Sequence, residues 1–169
     1  WLLTNFDCST LWVRNRAALT ETLSIVPEYL RTAQSEAGEV VDFRDWQVPL
    51  GRRFRALKLF FVMRHYGLAG LRDHIRTGIA DATWLEEAIV AHPALELVAP
   101  RSLALVCFAH VDGDDATGRL LEAIAADPRC LCTRTVAAGR VSVRVAVGSP
   151  RTTRATIEQF WAFLVAAAA

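Results

Sequence analysis

Apolar residues recur at two different periods along this chain, and the change of period divides it. Pro49 suits a helix start, and Leu50, Phe54, Leu57 and Phe61 follow at i, i+4, i+7 and i+11, with Gly67 placed to end that helix. A second stripe, Leu71, Ile75, Ile79, Ala82, Leu85 and Ile89, predicts another helix that Pro93 stops. After it the pattern changes. Leu95 to Val98 and Leu103 to Phe108 read as strands, and Asp114 to Ala126 as a helix carrying Leu120, Leu121 and Ile124. Val141, Val143, Val145 and Val147 then alternate with Ser142, Arg144, Ala146 and Gly148, the period of two that belongs to a sheet with unlike faces, and Gly139 supplies the hairpin turn before them. The last stripe, Ile157, Phe160, Trp161, Leu164 and Val165, predicts a helix capped by Thr152 or Thr153. From about residue 67 onward the chain therefore reads as a small α+β domain, strands covered by helices.

The first third is different. Leu2, Leu3, Phe6, Leu11, Trp12 and Val13 predict extended, largely buried structure, two short strands turning near Asp7, with a short helix over Arg16 to Leu23 after it. From Ser24 to Gly38 no period survives and Pro27 interrupts the run, so this segment reads as one long loop. Loops of that length inside a compact domain are often lids or binding loops, which makes it a candidate for function. Residues 1 to 50 hold too few elements to close a core of their own and are expected to belong to something larger.

Composition narrows the function classes. A chain of 169 residues with 53% apolar and 22% charged residues has far more to bury than a disordered tail. A net charge of +1 provides no overall field for nucleic acid or an anionic membrane surface. The longest apolar runs fall short of the ~20 residues that span a bilayer, and the start, at Trp1, carries no signal-peptide pattern. The expectation is a soluble, cytoplasmic protein in which Cys8, Cys107, Cys130 and Cys132 stay reduced.

Motif chemistry is sparse. Cys130 and Cys132 with His110 or Cys107 make a poor zinc set, because no second pair stands at structural-site spacing, and no metal is expected. The four histidines, His65, His74, His92 and His110, form no metalloprotease pattern, and neither a nucleophile elbow nor a phosphate-binding glycine loop is present. Arg52, Arg53, Arg55 and Lys58 offer donors for phosphate, against which stands the plainer reading of salt bridges on a solvated face. Arg144 stands in a strand among small and apolar neighbours, so it either reaches a cleft and grips a carboxylate or lies on the wet face of the sheet. Tyr29, in the long loop, carries a phenol of pKa near ~10 that stays protonated at neutral pH and can donate into a closed site; alternatively it is an amphipathic packing residue.

Three runs carry more information. Trp1-Leu2-Leu3-Thr4-Asn5-Phe6-Asp7-Cys8-Ser9, Pro27-Glu28-Tyr29-Leu30, and Asp42-Phe43-Arg44-Asp45-Trp46-Gln47-Val48-Pro49-Leu50-Gly51-Arg52-Arg53-Phe54-Arg55-Ala56-Leu57-Lys58 closely resemble the C-terminal portion of the group II pyridoxal-phosphate decarboxylases, nearest to the aromatic-L-amino-acid decarboxylase branch. The resemblance continues through Leu105-Val106-Cys107-Phe108 and Arg140 to Ser149, so it covers the whole chain. It implies an α/β, fold-type I, PLP-dependent transferase-like protein. Residues 1 to 66 would be the end of the large cofactor-binding domain, with a catalytic loop over about 24 to 38 and a connecting helix. Residues 67 to 169 would be the small α+β C-terminal domain.

The same resemblance implies a homodimeric carboxy-lyase that uses pyridoxal 5'-phosphate to remove CO₂ from an aromatic L-amino acid, with its active site at the subunit interface. In that family Trp1 directly follows the lysine that forms the Schiff base with the cofactor, so the chain lacks it, whether as a fragment, a split gene or a chain interrupted at a modified lysine. Tyr29 matches the loop tyrosine that delivers a proton across to the partner subunit's site; related aldehyde synthases carry Phe there. Trp1 and Phe6 match positions beside the cofactor lysine. Gly51 matches a Gly or Ser near the substrate ring, leaving room for an indole, and Arg144 matches an arginine that approaches the substrate or the loop. The alternatives are an aromatic aldehyde synthase, a decarboxylase of another amino acid, or a non-catalytic fragment that completes another chain's fold.

Overall fold

The computed structural model describes residues 2–24, 33–130 and 132–168. The chain divides into two compact units, Thr4–Val62 and one made chiefly of Met63–Ala169.

In the first unit α1 (Arg16–Leu23) starts where expected, with the Asn15 side chain accepting from the Ala18 N–H at 3.3 Å. Residues 2–13 form no strand and are mostly exposed, Phe6 fully so at 101% and Trp12 at 92%. This corrects the expectation of buried extended structure. A strand needs a neighbour to take its backbone hydrogen bonds, and among the described residues 2–13 join no sheet. A short helix, α2 (Ala33–Glu36), interrupts the segment read as loop, closed by the Ala37 N–H donating to the Ala33 carbonyl at 2.9 Å. Phe43–Trp46 makes one 3₁₀ turn that packs on α1, where the Arg16 guanidinium lies over the Trp46 ring, 5.3 Å from its centroid.

Helix α3 spans Arg55–Ala91 and is broken at Gly67, whose φ of 65° and ψ of 173° leave the helical region. A side chain there would be strained, so glycine ends one helix and lets the next begin. The predicted start at Pro49 is six residues early. Gly51 weakens a first turn, and with Leu50 59% and Phe54 73% exposed nothing in the chain rewards winding it.

The second unit holds a four-stranded antiparallel sheet of β1 (Leu95–Ser102), β2 (Leu105–His110), β3 (Thr133–Ala137) and β4 (Arg140–Ala146), in the order β1-β2-β4-β3. β1 runs four residues further than expected, through Pro100, which an edge strand tolerates; its register shifts after Leu97 and again after Ala99. The β3–β4 turn uses Ala138 (φ 48°) and Gly139 (φ 78°), the two positive φ values that a tight two-residue hairpin needs. α4 (Asp114–Ala126) and α5 (Arg154–Ala167) fall where predicted, and Thr153 rather than Thr152 caps α5, pairing with Thr156 in a reciprocal capping box.

One hydrophobic core joins these elements. Ala82, Leu85 and Ile89 of α3, Val106 and Phe108 of β2, Leu120 and Ile124 of α4, Val143 and Val145 of β4, and Ile157, Phe160 and Leu164 of α5 are all buried in it. Val143 and Val145 of β4 enter the core two residues apart, as the alternation requires, which leaves Arg144 between them on the opposite face. No helix among the described residues is long and apolar enough to cross a membrane.

Candidate functional site

Each predicted site residue takes a definite place or lies outside the described residues. Tyr29 and Trp1 lie outside them. Phe6 and Gly51 belong to the first unit; Phe6 is exposed, and a Cβ added at Gly51 would meet nothing within 4 Å. Arg144 sits in the middle of β4, opposite Cys107 of β2 and Thr133 of β3. Half-buried, it lines a cavity of about 400 Å³ with His74 and Ile75 of α3, Ser102, Leu103 and Gly148. No acidic residue lines this cavity, and among the described residues the Arg144 side chain makes no hydrogen bond or ion pair. A guanidinium held by a sheet and left without a counter-charge attracts a carboxylate.

The neighbouring arginines are spent on structure. Arg140 binds Glu96 at 2.7 Å, Arg101 binds Glu86 at 2.7 Å, and Arg154 binds Asp81 at 2.9 Å. In the first unit Arg55 grips Asp7 with both arms, Nε to Oδ1 at 3.1 Å and Nη2 to Oδ2 at 3.0 Å. Those hydrogen bonds, helped by Asp7's own backbone N–H, hold its carboxyl down at about 2. Of the cluster weighed as a phosphate grip, Arg55 is therefore a salt bridge, while Arg52 and Arg53 lie exposed.

The zinc set does not assemble. His110 Nε2 lies 3.3 Å from the Ala168 carbonyl oxygen and its Nδ1 accepts from the Asp112 N–H, while Cys130 and Cys132 lie in the loop ahead of β3. Among the described residues no group of three potential metal ligands comes together. Burial pushes the Cys132 thiol up to about 12 and raises Cys130 as well, so neither is a ready thiolate. His92 ends α3 as expected, its Nδ1 accepting from the Ala94 N–H at 3.3 Å and its ring edge-on to Trp161.

Sequence reasoning missed two features. One is His74 in the Arg144 cavity; in the sequence it stood only among four histidines that form no metalloprotease pattern. The other is the cluster of Asp81, Arg154 and Trp84: the Asp81 carboxylate is only 3% exposed, and the Arg154 guanidinium that neutralises it stacks over the Trp84 ring at 5.2 Å. Asp81 stands 73 positions from Arg154, and nothing local announces such a pair.

Residues 1–111 match the family model described as the pyridoxal-dependent decarboxylase conserved domain. The chain belongs to this family. It is 44% identical over 168 residues to tyrosine decarboxylase 2 of Narcissus pseudonarcissus, an alignment that takes in 95% of this chain and 34% of that protein. To phenylacetaldehyde synthase of Arabidopsis thaliana it is 41% identical, again over 95% of this chain and 34% of the other. Among solved structures, that of Oryza sativa TDC with PLP and tryptamine superposes with a TM-score of 0.85 at 37% identity, covering 92% of this chain and 34% of that one. The chain thus spans about a third of the length of the relatives it matches. Its fold class is that of the fold-type I pyridoxal-phosphate enzymes, here a mixed α/β chain carrying a small antiparallel sheet.

Pyridoxal phosphate is the cofactor of the family, and the described residues do not by themselves fit it. Lys58 is the single lysine of the chain, and it stands in the first turn of α3, where its charge acts on the Asp7 carboxylate. The Arg144 cavity holds no lysine.

Proposed function

We propose that this chain acts as part of a pyridoxal-phosphate-dependent carboxy-lyase that converts an aromatic L-amino acid to its amine and CO₂. The observation that carries the proposal is the match to aromatic amino acid decarboxylases along nearly the whole chain, in sequence and in fold together. In this reading residues 1–66 close the large domain and contain a catalytic loop over about 24–38, and residues 67–169 form the small domain. The working protein is a cytoplasmic homodimer with the active site at the subunit interface.

Pyridoxal phosphate would supply the electron sink that makes loss of CO₂ feasible. What falls to this chain is to seat the substrate and to return a proton to its Cα. Proton return is assigned to Tyr29, because its phenol keeps its proton at neutral pH and it occupies the Pro27-Glu28-Tyr29-Leu30 frame. Loop closure over the site would keep water and oxygen out of it. Trp1 and Phe6 shape the wall beside the cofactor lysine, Gly51 leaves room for a large ring, and Arg144 meets the substrate or the closed loop. The uncommitted guanidinium in a cavity free of acidic groups supports that last role.

Tyr29→Phe in the full-length protein tests the assignment. Amine formation should fall by ~10² or more, the usual worth of a positioned acid, while aldehyde and peroxide rise. Unchanged amine output with no aldehyde would remove Tyr29 from the mechanism. A second reading, aldehyde synthase, is favoured by the 41% identity to phenylacetaldehyde synthase. Measuring CO₂, amine, aldehyde and peroxide from tyrosine, dihydroxyphenylalanine, tryptophan and phenylalanine separates the two.

A further inference from the structure

A second cavity, of about 500 Å³, opens between α5, the end of β4 and the loop from α4 to β3. Its volume falls within the usual range of small-molecule sites. The floor is apolar: Val145, Ile157 and Phe160 are buried beneath it, and Phe163, one helical turn beyond Phe160, stands half-buried beside them. Three charged side chains line it. Two neutralise each other, since Arg129 holds Asp127 through Nε to Oδ1 at 2.9 Å and Nη2 to Oδ2 at 2.6 Å. The third, Arg151, is exposed and makes no side-chain hydrogen bond or ion pair among the described residues.

One uncommitted guanidinium above a phenyl-lined floor defines a ligand with two parts. The planar fork of Arg151 pairs with a carboxylate, and a single such group suits one carboxylate better than a phosphate, which gathers several donors. Phe160 and Phe163 offer a flat ring an apolar berth. A cationic head would meet Arg151 with no free carboxylate to offset it. We propose that this cavity binds an aromatic monocarboxylate, ring on Phe160 and Phe163 and carboxylate on Arg151. This inference does not depend on the decarboxylase reading.

Cys130 lines the same cavity and reports on its occupancy. In the full-length protein, at an alkaline pH where the raised Cys130 thiol ionises, its alkylation by iodoacetamide is followed by peptide mapping with 3-phenylpropanoate or 3-phenylpropylamine present. The acid should slow Cys130 alkylation at least about fivefold at saturation and the amine should not, given the charge at the rim. Arg151→Gln, a change at the surface, should alkylate at the wild-type rate without ligand and need at least about tenfold more acid for the same protection, the worth of a charge-assisted hydrogen bond. Phe163→Ala should weaken protection severalfold. Absence of protection, equal protection by acid and amine, or full protection of the Arg151→Gln protein would each overturn the proposal.

Discussion

Thr4–Val62 and Met63–Ala169 are written in a similar alphabet and end in different states. Both carry long apolar side chains at regular spacings, yet none of the described residues before Leu71 is buried, and the entire core lies beyond that point. In the second unit each stripe finds an opposing surface: α3 meets the sheet, the sheet meets α4 and α5, and Phe108 and Val143 vanish between them. In the first unit Phe6, Trp12, Phe43, Val48 and Phe54 stay exposed because α1 and one 3₁₀ turn cannot cover them. Periodicity records where a residue is meant to be buried. Burial itself needs a partner surface, and among the described residues the second unit supplies one.

This contrast can be broken by mutation. Leu85→Ala should cost about 2–5 kcal/mol, because Leu85 is wholly buried and its loss leaves a cavity. Trp12→Ala in this chain should change stability by under about 0.5 kcal/mol despite deleting a larger side chain. Urea denaturation of the two variants checks the ordering, and equal losses would mean that the first unit carries core after all.

A smaller effect is expected at the buried ion pair. Arg154→Met strands the Asp81 carboxylate, which is 3% exposed, and should cost about 1–3 kcal/mol by thermal or chemical unfolding. Arg55→Met in the first unit breaks an equally well-formed pair with Asp7, but one open to solvent, and should leave the midpoint essentially unmoved.

The smallest effect concerns acid, where the units should agree. Asp7 and Asp127 are both held at about 2 by an adjacent arginine. Because these carboxyls are depressed below their ordinary value of about 3.9, the pairing contributes above that pH and fades as the pH falls through about 2. Carboxyl carbon NMR titration should give a midpoint near that value for both. A midpoint near the ordinary one at either site would show that its arginine is not bound in solution.

Elements whose cause is local are legible in the sequence. α1, α4, the β3–β4 hairpin and α5 fall where stripe, cap and turn residues place them, since Asn15, Gly139 and Thr153 act on backbone groups a few residues away. Gly67 divides α3 for the same reason. Elements whose cause is distant are misread: residues 2–13 as strands, Pro49 as a helix start, and β1 as ending before its bulges. Candidate chemistry follows the same division. Arg144 stands out by its apolar neighbours, but that it opens on a cavity beside His74, uncommitted while Arg140, Arg101 and Arg154 are paired, emerges only from the assembled sheet.

The chain's own order of residues settled α1, α4, α5, the hairpin, the alternation of β4 and the family to which the chain belongs, because these follow from side-chain period, backbone allowance and motif. Which arginines are neutralised, which thiols are raised by burial, which stripes are covered and which left bare, and where cavities open were decided by tertiary structure. Each of those depends on what stands opposite a residue in space, as Arg154 opposite Asp81 does, and distance along the chain does not encode it.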